Sequence, residues 1–217
     1  MACLPLFALA AALWSPAAPP DSLPPTRPLP EAGRPAVVAK RGMVASAHPL
    51  ASEVGARILA KGGNVADAAV AVQALLSVVE PESSGPGGGC LILLHDMATD
   101  SLYAIDGREE SPAWAWPQMF LTELGQPYPD PMTGGRSVGA PGTLAAMNLL
   151  HRDFGRLPLA ELLAPAIAVA ETGFAVPPDM ARAIRSEGER LAFSGAAVDL
   201  YFHADGTPYR EGERFRN

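Results

Sequence analysis

Residues 61–89 read K-G-G-N-V-A-D-A-A-V-A-V-Q-A-L-L-S-V-V-E-P-E-S-S-G-P-G-G-G, and this stretch decides the fold class. Asn64 stands where a helix N-cap is wanted, and Asp67 lies near the positive end of the helix that follows. The body, residues 65–79, is almost entirely Ala, Val and Leu, which predicts a helix buried on every side. Asp67, Gln73 and Ser77 interrupt it, and it is too short to cross a bilayer, so it reads as a core helix. Five of the seven residues 83–89 are Gly or Pro, which excludes regular structure there and predicts a loop with close backbone approach.

Upstream, Pro49 suits a first helical turn. Leu50, Val54, Ile58 and Leu59 fall on one face, Lys61 suits the carboxyl end, and Gly62 stops the helix. Residues 37–46 read as a short strand or an extended lead-in. Downstream, residues 91–95 and 102–105, separated by 97–100, predict a hairpin whose first strand is apolar on both faces and therefore interior. Apolar spacing then turns helical over 141–154, 159–171 and 178–191, with Gly155 and Gly173 as stops and Pro165 as a kink or break. Residues 201–214, centred on Asp205-Gly206, suggest a small hairpin. No internal repeat is present. Helices outnumber strands, and the fold class expected is α+β.

At 217 residues the chain is long enough for one domain with a real core. Its net charge of −7 and pI near 5.1 argue against nucleic-acid binding, which needs a basic stripe. The arginines of residues 182–216 interleave with Glu187, Glu189, Glu211 and Glu213, the pattern of a solvated face. Residues 4–14 are apolar and followed by small residues, so residues 1–18 read as a secretory signal, although no Lys or Arg precedes the apolar core. Residues 19–36 are a Pro-rich extended linker, and 37–217 form the folded part. Export would place the protein in the periplasm or outside the cell. Removal of Cys3 with the signal would leave Cys90 alone, without an intramolecular disulfide. Cys90 opens an apolar run and reads as a buried, inert thiol.

The chemistry-bearing motifs are few. The glycine loop 85–89 fails the phosphate-binding patterns, because it lacks a Lys-Ser/Thr helix start and feeds a strand. Arg108, after a predicted strand in D-G-R-E-E-S-P, has a planar fork that grips a carboxylate through two parallel bonds. Removing a desolvated pair of that kind costs on the order of 3–5 kcal/mol. On residues alone the better reading of Arg108 is a surface ion pair with Glu109 or Glu110, worth under about 1 kcal/mol. Glu109 is placed to orient it. His48, His95, His151 and His203 lack the spacing of a zinc site, so neither metal nor cofactor is expected. No G-x-S-x-G elbow appears.

Four blocks carry a resemblance: G-M-V-A-S-A-H-P-L-A-S from Gly42, K-G-G-N-V-A-D-A-A-V-A from Lys61, V-E-P-E-S-S-G-P-G-G-G from Val79 and D-G-R-E-E-S-P from Asp106. In order and spacing they resemble the start of the large subunit of the γ-glutamyltranspeptidases, which act on glutathione and other γ-glutamyl compounds. The resemblance continues through residues 138–142 and 155–171. It implies an N-terminal-nucleophile hydrolase fold of αββα layers, here an incomplete, helix-rich portion with few strands. It gives Arg108 the α-carboxylate of the γ-glutamyl donor and sets the glycine loop beside the substrate cavity. In the family a precursor cuts itself, and the threonine opening the small subunit attacks the γ-glutamyl amide to form an acyl-enzyme. Water or an amino acid or peptide then takes the acyl group.

None of Thr99, Thr122, Thr133, Thr143, Thr172 and Thr207 lies in a sequence like that cleavage point, so no catalytic residue is assigned within the chain. It therefore reads as a fragment, inactive and poorly folded without the small subunit, since strand 91–94 needs sheet partners. Two other readings stand beside this one: a cephalosporin or glutaryl acylase of the same superfamily, and a non-catalytic truncated module that binds a partner through its sheet edge.

Overall fold

The computed structural model describes residues 37–217, and the expected signal and the Pro-rich linker lie outside the described residues. Residues 37–46 form no strand. Helix α1 spans Pro49–Ala60, with Pro49 in its first turn and His48 as N-cap, whose Nδ1 accepts the Leu50 N–H at 3.2 Å. The buried face is Ala51, Val54, Gly55 and Ile58, and the expected Leu50 is exposed. Close approach explains the shift by one position. A Cβ on Gly55 would sit 2.7 Å from Val72 and 2.8 Å from Val44, so small residues must face the next helix.

That helix, α2 (Val65–Val79), is the centre of the core. Its start is a reciprocal capping box: Asp67 N–H donates to Asn64 Oδ1 at 3.0 Å, and Asn64 N–H donates to Asp67 Oδ2 at 2.9 Å. Asp67 is nonetheless wholly buried. Its other oxygen accepts the N–H groups of Arg156 at 2.9 Å and Leu157 at 3.3 Å, which ties the start of α2 to a loop some ninety residues on. A buried carboxylate is tolerable because both oxygens are satisfied.

Leu75 and Val79 of α2 pack in one apolar cluster with Leu150 of α4 (Thr143–Phe154) and Leu162 of α5 (Leu159–Thr172). Pro165 lies within α5 without breaking it, and Gly173 ends the helix at φ +83°. Four-residue helix α3 (Pro81–Ser84) takes in Ser83 and Ser84, so the irregular stretch is shorter than the glycine count predicts. Pro81 opens it, and the Ser84 carbonyl accepts from Gln73 Nε2 at 2.9 Å and Ser77 Oγ at 3.1 Å.

The hairpin is present as β1 (Cys90–Asp96) and β2 (Ser101–Gly107), paired antiparallel with Leu93 opposite Ala104. Ile92, Leu94 and Ile105 turn to the core. The other face is not interior: Leu91 is 69 % exposed, Leu93 74 % and Leu102 68 %. The sheet holds only these two strands, so among the described residues no second layer covers that face.

The final third differs most from expectation. Helices α6 (Pro178–Ser186), α7 (Gly188–Leu191) and α8 (Gly195–Tyr201) succeed one another, and α8 takes up the start of the expected hairpin. A tight turn at Asp205-Gly206 survives with one bridge, Phe202 to Pro208. The closing strand β4 (Arg214–Phe215) pairs instead with β3 (Phe174–Ala175). Aromatic packing drives this choice. Buried Phe215 meets Phe174 at 5.6 Å, Tyr201 at 5.7 Å and Tyr209 at 5.2 Å between ring centroids. The result is α+β and helix-rich, with two sheets of two strands among the described residues. Among the described residues no helix is long and apolar enough to cross a membrane.

Candidate active site

Two glycines set the site. Gly107 ends β2 against Gly142, the N-cap of α4. A Cβ on Gly142 would overlap the Gly107 carbonyl oxygen, and one on Gly107 would lie 2.7 Å from Ala146 Cβ. The glycine loop 85–89 is fastened to the same place. The Gly88 carbonyl accepts the N–H groups of both Gly142 and Thr143 at 3.1 Å. Those amides are the ones a phosphate would use at a helix start, and a backbone carbonyl occupies them.

Arg108 follows directly. Its N–H donates to Asp106 Oδ1 at 2.9 Å, which turns the chain out of the strand. The side chain borders a cavity of about 500 Å³ walled by α3, the glycine loop, Cys90 and Thr143. It also borders an adjoining one of about 330 Å³ that reaches Met119 and Arg136. Its side chain is 68 % exposed.

Glu109 holds the other flank. Its Oε2 stands 3.4 Å from Arg108 Nη1, yet this oxygen has no aligned hydrogen bond and is shut from solvent. The distance and the missing bond describe a loose ion pair, so the guanidinium fork is not consumed by its neighbour. The glutamate stem rests where a Gly139 Cβ would be 2.8 Å away, and the carboxylate lies over Gly89. Side chains at those two glycines would displace it.

The half-buried Cys90 faces the larger of these cavities. Burial pushes its thiol up, with Glu109 adding to that and a hydrogen bond with Thr143 opposing it. A thiol so placed stays protonated at neutral pH and makes a poor nucleophile. Every histidine is engaged locally. His48 caps α1, while His95 meets Asp100 at 3.0 Å, His151 the Leu157 carbonyl at 2.8 Å, and His203 Glu213 at 3.0 Å.

A larger cavity, about 590 Å³, shares Pro81 and Glu82 with the 500 Å³ one and extends among α3, α6 and α7. Its one arginine, Arg190, is bound by Glu187 at 2.7 Å. Among its acids, the Glu82 carboxyl is pushed up chiefly by partial desolvation. Size favours this hollow, whereas open donors favour Arg108.

The profile of the family described as Gamma-glutamyltranspeptidase matches residues 51–217. The chain belongs to the γ-glutamyltranspeptidase family. It is 44 % identical over 178 residues to a glutathione hydrolase proenzyme of Bacillus subtilis (strain 168), covering 81 % of this chain and 30 % of that protein. With the glutathione hydrolase proenzyme of Escherichia coli (strain K12) identity is 36 %, over 82 % of this chain and 30 % of that one. The chain thus spans about a third of the length of these relatives. The crystal structure of Helicobacter pylori γ-glutamyltranspeptidase superposes with TM-score 0.80 at 35 % identity, covering 84 % of this chain and 52 % of that chain. The cephalosporin acylase of Bacillus halodurans superposes at 0.71 with 34 % identity, over 89 % and 36 %. The architecture expected from the resemblance, a helix-rich portion of an N-terminal-nucleophile hydrolase with few strands, is therefore the one found.

Arg108 and Glu109, both expected from the sequence, stand together beside the glycine loop. Arg136 and the Gly107–Gly142 junction are not expected from it. The G-x-P-G spacing of residues 139–142 is a visible signal for the junction. Nothing in the sequence marks Arg136, which sits in a 3₁₀ turn, Gly135–Ser137.

Proposed function

We propose that this chain is the donor-carboxylate side of a γ-glutamyltransferase and glutathione hydrolase. Arg108 takes the α-carboxylate of a γ-glutamyl compound through two parallel N–H bonds, and Glu109 restrains the guanidinium without neutralising it. The observation that carries this is Arg108 itself: a cation at a strand end, bordering three hollows, whose ion-pair partner Glu109 is misaligned for hydrogen bonding. The nucleophilic threonine belongs to a small subunit that completes the site against this chain. The half-open hairpin, with Leu91, Leu93 and Leu102 outward, is the surface that needs such a partner. Export through residues 1–18 would bring the enzyme to the periplasm or the medium.

The assembled enzyme should release p-nitroaniline from γ-glutamyl-p-nitroanilide. Arg108→Gln should raise KM on the order of 100-fold, the scale of a desolvated charge pair. A KM unchanged by the substitution would remove Arg108 from the donor site. The kinship with a cephalosporin acylase favours a second reading, a glutaryl acylase, since a glutaryl group presents the same carboxylate without the amine. Preferential turnover of glutaryl-p-nitroanilide would select it. A folded complex that turns over neither compound would make the chain a non-catalytic interaction module.

A further inference from the structure

We propose that Arg136 is a second carboxylate-binding point, fitted to the free C-terminal carboxylate of a γ-glutamyl peptide; this rests on the reading of Arg108 given above. Arg136 and Arg108 border the same hollow of about 330 Å³. The two segments are set side by side by the backbone, since Ala140 N–H donates to the Glu110 carbonyl at 2.9 Å and Gly139 packs on the Glu109 stem. Arg136 is held in place without being neutralised. Its Nη1 donates to the carbonyl of buried Met119 at 2.9 Å, and its guanidinium carbon lies 4.5 Å from the centroid of the Tyr128 ring.

Those contacts use one of five N–H donors and fix the plane of the rest. Arg190, at the largest hollow, is taken by Glu187, and Arg108 is only loosely paired with Glu109, whereas no ion pair among the described residues involves Arg136. A pinned cation with spare in-plane donors, facing a hollow that a second arginine shares, suits a ligand with a carboxylate at each end. Glu109 and Glu110 line the hollow between them and disfavour negative charge in its middle. A γ-glutamyl peptide meets both demands: its α-carboxylate goes to Arg108, neutral amides span the middle, and its C-terminal carboxylate goes to Arg136.

The test is calorimetric titration of the assembled enzyme, its nucleophilic threonine replaced by alanine to stop turnover, with γ-glutamyl-alanyl-glycine, its C-terminal amide, and γ-glutamyl methylamide, which carries the α-carboxylate alone. The free acid should bind about fivefold tighter than the amide, as suits a partly exposed charged hydrogen bond. In R136Q that ratio should fall to about one, and R136K, which keeps the charge, should restore part of it. R108Q should weaken all three ligands. An acid-to-amide ratio near one in the wild type, or a ratio unchanged in R136Q, overturns the assignment of Arg136 and leaves Arg108 standing. Loss of methylamide binding in R136Q shows that Arg136 acts only by tying its segment to Met119, and also overturns it. If the wild type binds none of the three, the reading of Arg108 fails, and that of Arg136 with it.

Discussion

Gly142 and Gly107 meet backbone to backbone, with no room for a Cβ between the first turn of α4 and the last peptide of β2. Neither side can yield, because one is a helix start held by the Gly88 carbonyl and the other a strand end. Gly142→Ala is expected to destabilise the fold by about 3 kcal/mol or more, as overpacking against backbone does. Gly87, in the same loop neighbourhood, has nothing within 4 Å of a built Cβ, so Gly87→Ala should change stability by under about 0.5 kcal/mol. Thermal melts of the two variants check the contrast; equal effects would dissolve the junction argument.

Asp67 is a second point of concentrated cost. Its carboxylate accepts three backbone N–H groups while wholly buried. Asp67→Ala should cost about 3 kcal/mol, since the orphaned amides of Arg156 and Leu157 lose their partner along with the cap. Denaturant unfolding measures the loss. Faster amide exchange at both Arg156 and Leu157 would locate it.

The turn before β4 carries a pH dependence. The Arg210 N–H at 2.8 Å, followed by His203 at 3.0 Å, holds the Glu213 carboxyl below its ordinary value of 4.5. A depressed folded value means that the unfolded chain binds more protons as pH falls through 4.5. The contribution is therefore complete above that pH and lost below it. Amide exchange at Arg210 should accelerate in acid, and Glu213→Gln should make it fast at neutral pH too. A rate independent of pH after correction for intrinsic exchange would count against the pair.

The outward leucines of the hairpin predict self-association. Leu91, Leu93 and Leu102 form an apolar stripe on a sheet that, among the described residues, has two unpaired edges. Replacing Leu91 and Leu93 with Thr keeps strand preference and removes the stripe. Sedimentation should then show a shift from aggregate toward monomer, and an unchanged distribution would point to another surface.

Local signals in the chain are legible and distant ones are not. Helix α2 is readable end to end because Asn64, Asp67 and the apolar body all act within fifteen residues. The hairpin is equally clear from two short apolar runs on either side of residues 97–100, and Arg108 from its motif. The exposure of Leu91 is hidden because composition reports that a face is apolar, not whether another layer lies on it. The pairing of β4 with β3 is hidden for a related reason. Two-residue strands leave no periodicity, and the choice is made by Phe215 meeting Phe174 some forty residues away. Asp67 looks like a helix-dipole residue in the sequence, since its bonds to Arg156 and Leu157 exist only after folding.

The double bond acceptance at the Gly88 carbonyl has a mechanical consequence. A loop built from four glycines would ordinarily flap, yet this one is riveted to the first turn of α4. Widening the cavity mouth would have to drag three turns of helix away from Leu150 and the core beneath it. The wall opposite Arg108 therefore behaves as an anvil, and any gating of ligand access falls to the Arg108 side chain and the long irregular segment that carries Arg136.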